Sequence, residues 1–107
     1  MPEHAPVNTR QLPPGFRWSV ATAAFQIEGA RHAAGRGRSI WDDFVETPGA
    51  VADGSVAEPG PDSYHRWSED VELVAGLGAD RYRFSLSWVR LQPGGTGPLN
   101  SHAVAYY

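Results

Sequence analysis

Large apolar and polar residues alternate with a period of two over residues 82–88. One side of this pattern consists of Tyr82, Phe84, Leu86 and Trp88, and the other of Arg83, Ser85 and Ser87. Because successive side chains of a β-strand point to opposite faces, the pattern predicts a strand from Tyr82 to Trp88. An earlier strand is predicted from Phe16 to Ala24, where Val20 and Thr22 are interleaved with small residues that suit close packing.

Between these strands the apolar residues recur at i, i+3, i+7, i+10 and i+13, as Tyr64, Trp67, Val71, Val74 and Leu77. This spacing predicts an amphipathic helix from Ser63 to Leu77, with Trp67 in the core and Gly78 as the stop signal. The opposite face of the helix is polar and is expected to meet water, at Arg66, Glu69, Asp70 and Glu72.

Two shorter helices are predicted from their capping residues. Ser39 precedes a segment in which Ile40, Trp41 and Phe44 fall on one side of a brief helix. Asn100 and Ser101 cap a second helix, which has only begun when the sequence reaches Tyr107. The segments 47–61 and 93–98 are rich in Gly and Pro and are predicted to be loops.

The order strand, helix, strand predicts a βαβ unit, whose two strands are normally parallel, and hence an α/β fold. Two strands do not make a parallel sheet of ordinary size, so we expect this unit to belong to a larger one. Residues 1–15 contain Gly15 and four prolines but few apolar groups, and we expect a flexible lead-in there. Residues 16–107 form the α/β part.

Composition narrows the class of partner. The 107 residues carry 9 Lys and Arg against 12 Asp and Glu, a formal net charge of -3 without blocks of one sign. This distribution argues against nucleic acid or an anionic membrane as the partner and favours a neutral small molecule or another protein. The absence of cysteine excludes disulfides and thiolate chemistry. With no apolar run long enough for a membrane span or a secretory signal, we expect a cytoplasmic protein.

Two residues are candidates for chemistry. Arg83 lies on the face of its strand opposite the large aromatic residues, and in a (β/α)8 barrel that face would project into the barrel. An edge strand with a solvated face explains the same pattern equally well. Gln26 comes just after the first predicted strand, where a barrel places substrate contacts, and its amide both donates and accepts hydrogen bonds. Without further support, such a Gln is more often simply solvated.

Other polar residues do not make a recognisable catalytic or metal site. Glu28 is expected to make a structural hydrogen bond or salt bridge, and the carboxylates at 42–43, 69–70 and 80 offer no convincing catalytic pair. The four histidines lack metal-ligand spacing. The basic segment Arg31–Arg38 lacks the features of a phosphate loop and is predicted to be a solvated loop.

The stretch Phe16–Ala30 closely resembles the N-terminal signature of glycoside hydrolase family 1, the β-glucosidase family, in which small residues, an aromatic and Gln-x-Glu recur. Gly37–Phe44 is similar to the family's Gly-x-Ser-Ile-Trp-Asp-x-Phe, and further similarities follow in order at Thr47-Pro-Gly, Val51-Ala-Asp-Gly, Tyr64-His-Arg, Tyr82–Trp88 and Arg90-x-x-Pro-x-Gly. The resemblance covers nearly the whole chain after Pro14.

The resemblance implies an incomplete (β/α)8 TIM barrel, of which this chain supplies the first two parallel strands and the connecting helix. It also implies a retaining β-glycosidase that releases terminal β-linked sugars such as glucose, without metal or organic cofactor. Gln26 matches the family's sugar-binding glutamine, and Arg83 matches the arginine beside the nucleophile. The family's catalytic segments Asn-Glu-Pro and Thr-Glu-Asn-Gly have no counterpart here, so the isolated chain is expected to be inactive. The alternatives are a small carbohydrate-binding module and a protein-interaction module.

Overall fold

The computed structural model describes residues 10–107 of the chain. Strand β1, Ser19–Thr22, and strand β2, Arg81–Phe84, pair in parallel with Val20 opposite Tyr82 and Thr22 opposite Phe84. The predicted parallel βαβ unit is therefore confirmed. Of the predicted lead-in over 1–15, residues 1–9 lie outside the described part, and residues 10–15 contain no helix or strand.

Both strands are shorter than the sequence pattern predicts. The predicted strand 16–24 is wrong at both ends, because the chain leaves β1 after Thr22 and forms one helical turn, α1, Ala24–Ile27. The predicted strand 82–88 is wrong beyond Phe84, because Ser85 and Ser87 bond to segments outside the sheet and a second helical turn begins at Trp88. The alternation of apolar and polar residues thus continues to Trp88, although the pairing with β1 ends at Phe84.

Three of the remaining helices agree closely with their predicted positions: α2 is Ile40–Glu46, α3 is Ser63–Gly76 and α5 is Ser101–Tyr106. Helix α4, Trp88–Leu91, was not predicted. Ser39 forms the predicted cap of α2 and shares a reciprocal capping box with Asp42. Gly78 adopts φ +72° just beyond α3, the left-handed conformation that ends a helix. The Asn100 side chain caps α5 by accepting a hydrogen bond from the His102 N–H at 3.0 Å.

Apolar burial between the sheet and α3 is incomplete. A cavity of about 250 Å³ separates Phe84 of β2 from Trp67 and Val71 of α3. Trp67 is 53% exposed, so its prediction as a core residue is wrong for residues 10–107. The physical reason is that, within the described residues, α3 makes few contacts with the strands and Trp67 lines the cavity between them. The body is correspondingly elongated, at 59 × 35 × 22 Å.

The most completely buried side chains lie instead in the segments that follow the two strands, on the short helices α2 and α4. Arg90 and Asp42 are each 1% exposed, whereas Ala30 and Ala103 are the buried apolar residues of the described range. Every buried side-chain nitrogen and oxygen within residues 10–107 has a hydrogen-bond partner. Directional polar contacts therefore fix the part of the molecule where the candidate site lies.

Candidate functional site

Gln26 lies on α1, immediately beyond the carboxyl end of β1, and its side chain is exposed. The sequence placed Gln26 just after the first predicted strand without predicting a helix, and the structure shows a helical turn there. This turn follows Ala23, whose backbone is extended, and ends at Glu28, whose N–H bonds to the Ala24 carbonyl at 2.9 Å. The turn fixes where the Gln26 side chain leaves the backbone.

Arg83 lies on β2 opposite Ala21 of β1, one residue before the strand ends. Tyr82 and Phe84 line the cavity against α3, so alternation directs Arg83 to the other face of the sheet. Arg81 shares this face, and both arginines are exposed. The predicted separation of an aromatic helix-facing side from an arginine side is confirmed over β2.

A single hydrogen bond joins the segments that carry the two candidate residues. The Ala24 N–H donates to Ser85 Oγ at 2.8 Å. Ala24 is two residues before Gln26, and Ser85 is two residues after Arg83. The exits of β1 and β2 are therefore connected directly beside both candidate side chains.

Glu28 is the centre of a buried polar cluster, which we call the Glu28 cluster. Its carboxylate accepts from Arg90 Nε at 3.0 Å and from the Tyr107 hydroxyl at 2.6 Å. The Tyr107 oxygen in turn accepts from the Ser87 N–H at 2.8 Å. Burial, followed by the bond to Glu28, raises the pKa of Tyr107 above its ordinary value, so the hydroxyl stays a donor. The predicted structural bond of Glu28 is confirmed.

The loops around Glu28 approach one another too closely for ordinary side chains. The Arg90 guanidinium donates to the carbonyls of Gly29 and Ala30 and lies 4.5 Å from the ring centre of Tyr64. Gly29 has φ +60°, and a Cβ there would lie 2.5 Å from the Pro59 carbonyl oxygen. Glycine is required at this position by both the backbone angle and the space.

A second buried polar cluster lies beside the first and is centred on Asp42. Its carboxylate accepts from Arg31 at 2.7 Å and from Arg36 at 2.9 Å, and both arginines are largely buried. Burial alone would raise the pKa of Asp42, but hydrogen bonds from Ser39, Arg31 and Arg36 outweigh it and hold the pKa well below its usual range. The prediction of a solvated loop over Arg31–Arg38 is therefore wrong, because Arg31 and Arg36 form buried ion pairs with Asp42.

Aromatic side chains border the carboxyl end of the strand pair. A hollow of about 250 Å³ is lined there by Phe25, Trp41, Trp88 and Ser85, among others. The rings of Phe25 and Trp41 stack with centroids 6.1 Å apart. Apolar ring faces beside polar groups are a surface that suits sugars.

Between residues 10 and 107, no group of three or more His, Asp or Glu side chains is arranged to hold a metal ion. The helices of the same range are all too short or too polar to cross a membrane.

Sequence reasoning found Gln26 and Arg83 but missed the residues that hold their segments. Ser85 was assigned to a strand face, and Arg90 was noted only within a family-like motif. Tyr107 could not be connected with Glu28, because 79 residues separate them. The available signal was an isolated Glu and an isolated Arg near predicted strand exits, which alone does not specify contact with each other or with Tyr107.

A family model described as Glycosyl hydrolase family 1 matches residues 8–107. The chain is 46% identical over 101 residues to β-glucosidase A of Thermotoga maritima and 48% identical over 101 residues to β-glucosidase 44 of Arabidopsis thaliana. These alignments cover 94% of this chain but 23% and 20% of the two relatives. The chain thus spans about a fifth of the length of the curated relatives it matches.

Solved structures agree with the sequence comparison. The family 1 β-glucosidase of Thermotoga maritima with isofagomine lactam superposes with a TM-score of 0.85 at 46% identity, over 92% of this chain and 23% of that one. A β-glucosidase of the fungus Humicola insolens with glucose gives 0.83 at 48% identity, over 92% and 21%. These neighbours are TIM barrels, and the predicted incomplete (β/α)8 barrel, represented by its N-terminal part, is confirmed.

Proposed function

The chain belongs to glycosyl hydrolase family 1, and from this premise we propose that it forms the N-terminal part of a retaining β-glycosidase. The proposed reaction removes a terminal β-linked sugar, such as glucose, from a glycoside. The observation that carries the proposal is the match over residues 8–107, together with Gln26 and Arg83 at the carboxyl ends of two paired parallel strands. That edge is where (β/α)8 enzymes bind their substrates.

In this proposal Gln26 binds hydroxyl groups of the terminal sugar. Its amide offers both a donor and an acceptor, which matches a hydroxyl pair. The side chain is exposed at the strand exit, so it is accessible to a substrate. Phe25 and Trp41 lie beside the same turn and offer apolar ring faces.

Arg83 is proposed to hold the nucleophilic carboxylate. A retaining glycosidase needs two carboxyl groups about 5 Å apart, one to attack the sugar carbon and one to donate a proton to the leaving oxygen. A fixed guanidinium beside the nucleophile lowers the pKa of that carboxyl and orients it. The two glutamates themselves belong to family segments that do not occur in these 107 residues. The proposed reaction uses no metal or organic cofactor, and cytoplasmic location remains a prediction.

The test is a chimera in which residues 8–107 replace the matching segment of Thermotoga maritima β-glucosidase A. We expect this chimera to hydrolyse p-nitrophenyl β-glucoside, and Gln26→Ala to lower kcat/KM by about tenfold or more. Arg83→Met should move the acidic limb of the pH profile of kcat/KM to higher pH, because the nucleophile loses its cation.

Arg81→Met is the matched control, since Arg81 shares the sheet face but lies two residues further from the carboxyl end. It should move the acidic limb much less. A folded chimera without activity, or one indifferent to both Gln26→Ala and Arg83→Met, would overturn the proposal.

The isolated chain separates this proposal from its alternatives. We expect no hydrolysis above buffer and no heat of binding on titration with glucose or cellobiose. Binding without hydrolysis would favour a carbohydrate-binding module. A single assembly of defined mass in light scattering would favour a protein-interaction module.

A further inference from the structure

The helical turn α1 is too short to hold its own shape. It has four residues, and isolated helices of this length are unstable in water. The preceding residue, Ala23, has no side-chain oxygen with which to cap the free N–H groups of the turn. The orientation of Gln26 must therefore come from contacts with other segments.

The exit of β2 supplies one such contact. Ser85 Oγ accepts at 2.8 Å from the N–H of Ala24, the first residue of the turn. This N–H is one of the groups that a helix start leaves without an internal partner, and its acceptor comes from 61 residues away in sequence. Because Ser85 directly follows β2, its position is set by the strand that also carries Arg83.

The Glu28 cluster holds the other end of the turn. Glu28 is the residue after α1, and its side chain is fixed by Arg90 and Tyr107. Its backbone carbonyl also accepts from the Tyr64 N–H at 3.0 Å. The side-chain partners follow β2 in the chain, as Ser85 does.

We propose that Ser85 and Glu28 are positioning residues for Gln26, which clamp the two ends of α1 to the exit of β2. The clamp fixes the distance and angle between the sugar-binding amide and the arginine beside the nucleophile. This inference rests on the proposed function, because it gives Gln26 and Arg83 their roles. Its distinct content is that neither Ser85 nor Glu28 touches the sugar and that both act through Gln26.

The decisive experiment is a double-mutant cycle in the chimera described above. Ser85→Ala should lower kcat/KM by about threefold to tenfold, the effect of one lost hydrogen bond. In the Gln26→Ala background, the same Ser85→Ala substitution should change kcat/KM by less than twofold, since no amide remains to be positioned. A purely structural serine would give the same loss in both backgrounds.

Two further variants control the cycle, and a third extends it to Glu28. Ser68→Ala removes an exposed hydroxyl from α3 and should leave kcat/KM within twofold of the parent. Ser85→Thr retains the oxygen and should restore most of the activity lost in Ser85→Ala. Tyr107→Phe removes one bond to Glu28 and should lower kcat/KM in the parent but change it by less than twofold in the Gln26→Ala background.

Hydrogen exchange provides a readout that does not depend on activity. In the chimera, Ser85→Ala should raise exchange in a peptide covering α1 and leave the peptide covering α2 unchanged. Unchanged α1 exchange, equal losses in the two backgrounds of the cycle, or an unsubstituted α1 without protection would each overturn the inference. If Gln26→Ala lowers activity but Ser85→Ala does not, the inference fails while the proposed function stands.

Discussion

The segments that follow β1 and β2, with their short helices α1, α2 and α4, differ from the sheet and α3 in what they bury. These segments bury charged groups, with Glu28, Arg90 and Asp42 almost completely removed from water. The sheet and α3 leave large apolar side chains exposed, among them Trp67 and Leu77. In an independent domain of this size the usual distribution is the reverse.

This difference shows that the polar contacts of the chain are satisfied internally, whereas its apolar surfaces are not covered. The polar clusters are complete, because each buried side-chain donor and acceptor in residues 10–107 is paired. Buried ion pairs add little net stability, but their directional bonds select one arrangement of the loops. The apolar faces lack neighbours in the described structure, and a barrel would cover them. We infer that contacts within these residues are enough to specify the arrangement of the site-bearing edge. The stability of the fold, in contrast, depends on additional strands and helices.

The largest expected effect comes from breaking the Glu28 cluster. Arg90→Met leaves the Glu28 carboxylate buried without its cation and should cost about 3 to 5 kcal/mol of unfolding free energy. The measurement is guanidinium unfolding of the chimera, followed by tryptophan fluorescence.

Arg66→Met is the matched control for Arg90→Met. Arg66 pairs with Glu69 at 2.8 Å, a distance similar to the Arg90 pair, but both of these partners are exposed to water. The loss should therefore be much smaller. Equal losses of unfolding free energy for Arg90→Met and Arg66→Met would show that burial does not make the Arg90 ion pair differ from an exposed one.

A smaller effect is expected at Asp42, and it depends on pH. Asp42→Asn should cost about 2 to 3 kcal/mol near pH 7, because one oxygen no longer accepts from the arginines as a carboxylate. The pKa of Asp42 in the fold lies below its ordinary value, so its contribution is full above about pH 4 and is lost as the pH falls further. The difference in urea midpoint between parent and variant should therefore shrink between pH 5 and pH 2.5. Asp53 lies in an exposed loop, and hydrogen bonds from Ser55 lower its pKa, so Asp53→Asn should show a much smaller convergence than Asp42→Asn. A gap that widens toward low pH would contradict the assignment.

The fold was predictable where local patterns and tertiary pairing agree. The period of α3 and the capping signals at Ser39, Asn100 and Gly78 predicted helix positions nearly correctly, since these signals depend on residues close in sequence. The strand ends were predicted wrongly. Alternation continued through Leu86 and Trp88, but the pairing of Ser85 with Ala24 had already turned the chain out of the sheet.

The candidate site was predictable only in part, for a related reason. Gln26 and Arg83 could be selected because strand exits are recognisable and the motifs resemble those of a family. The clamp could not be derived, because Ser85, Arg90 and Tyr107 meet their partners across 61 to 79 residues. Likewise, a basic loop gives no indication by composition that Asp42 lies between two of its arginines.

The smallest expected effect on the unfolding free energy comes from an exposed apolar residue at the end of α3. Leu77 is 70% exposed, so Leu77→Gln should change the unfolding free energy of the isolated chain by less than about 0.5 kcal/mol. Leu91 of α4 is half-buried beside α5, and Leu91→Gln should cost more, which makes it the matched comparison. Urea unfolding followed by circular dichroism measures both variants, and light scattering should show less self-association for Leu77→Gln. Equal losses would mean that Leu77 is already covered in the isolated chain. The absence of any unfolding transition would mean that the polar clusters do not hold without the neighbours that the apolar faces require.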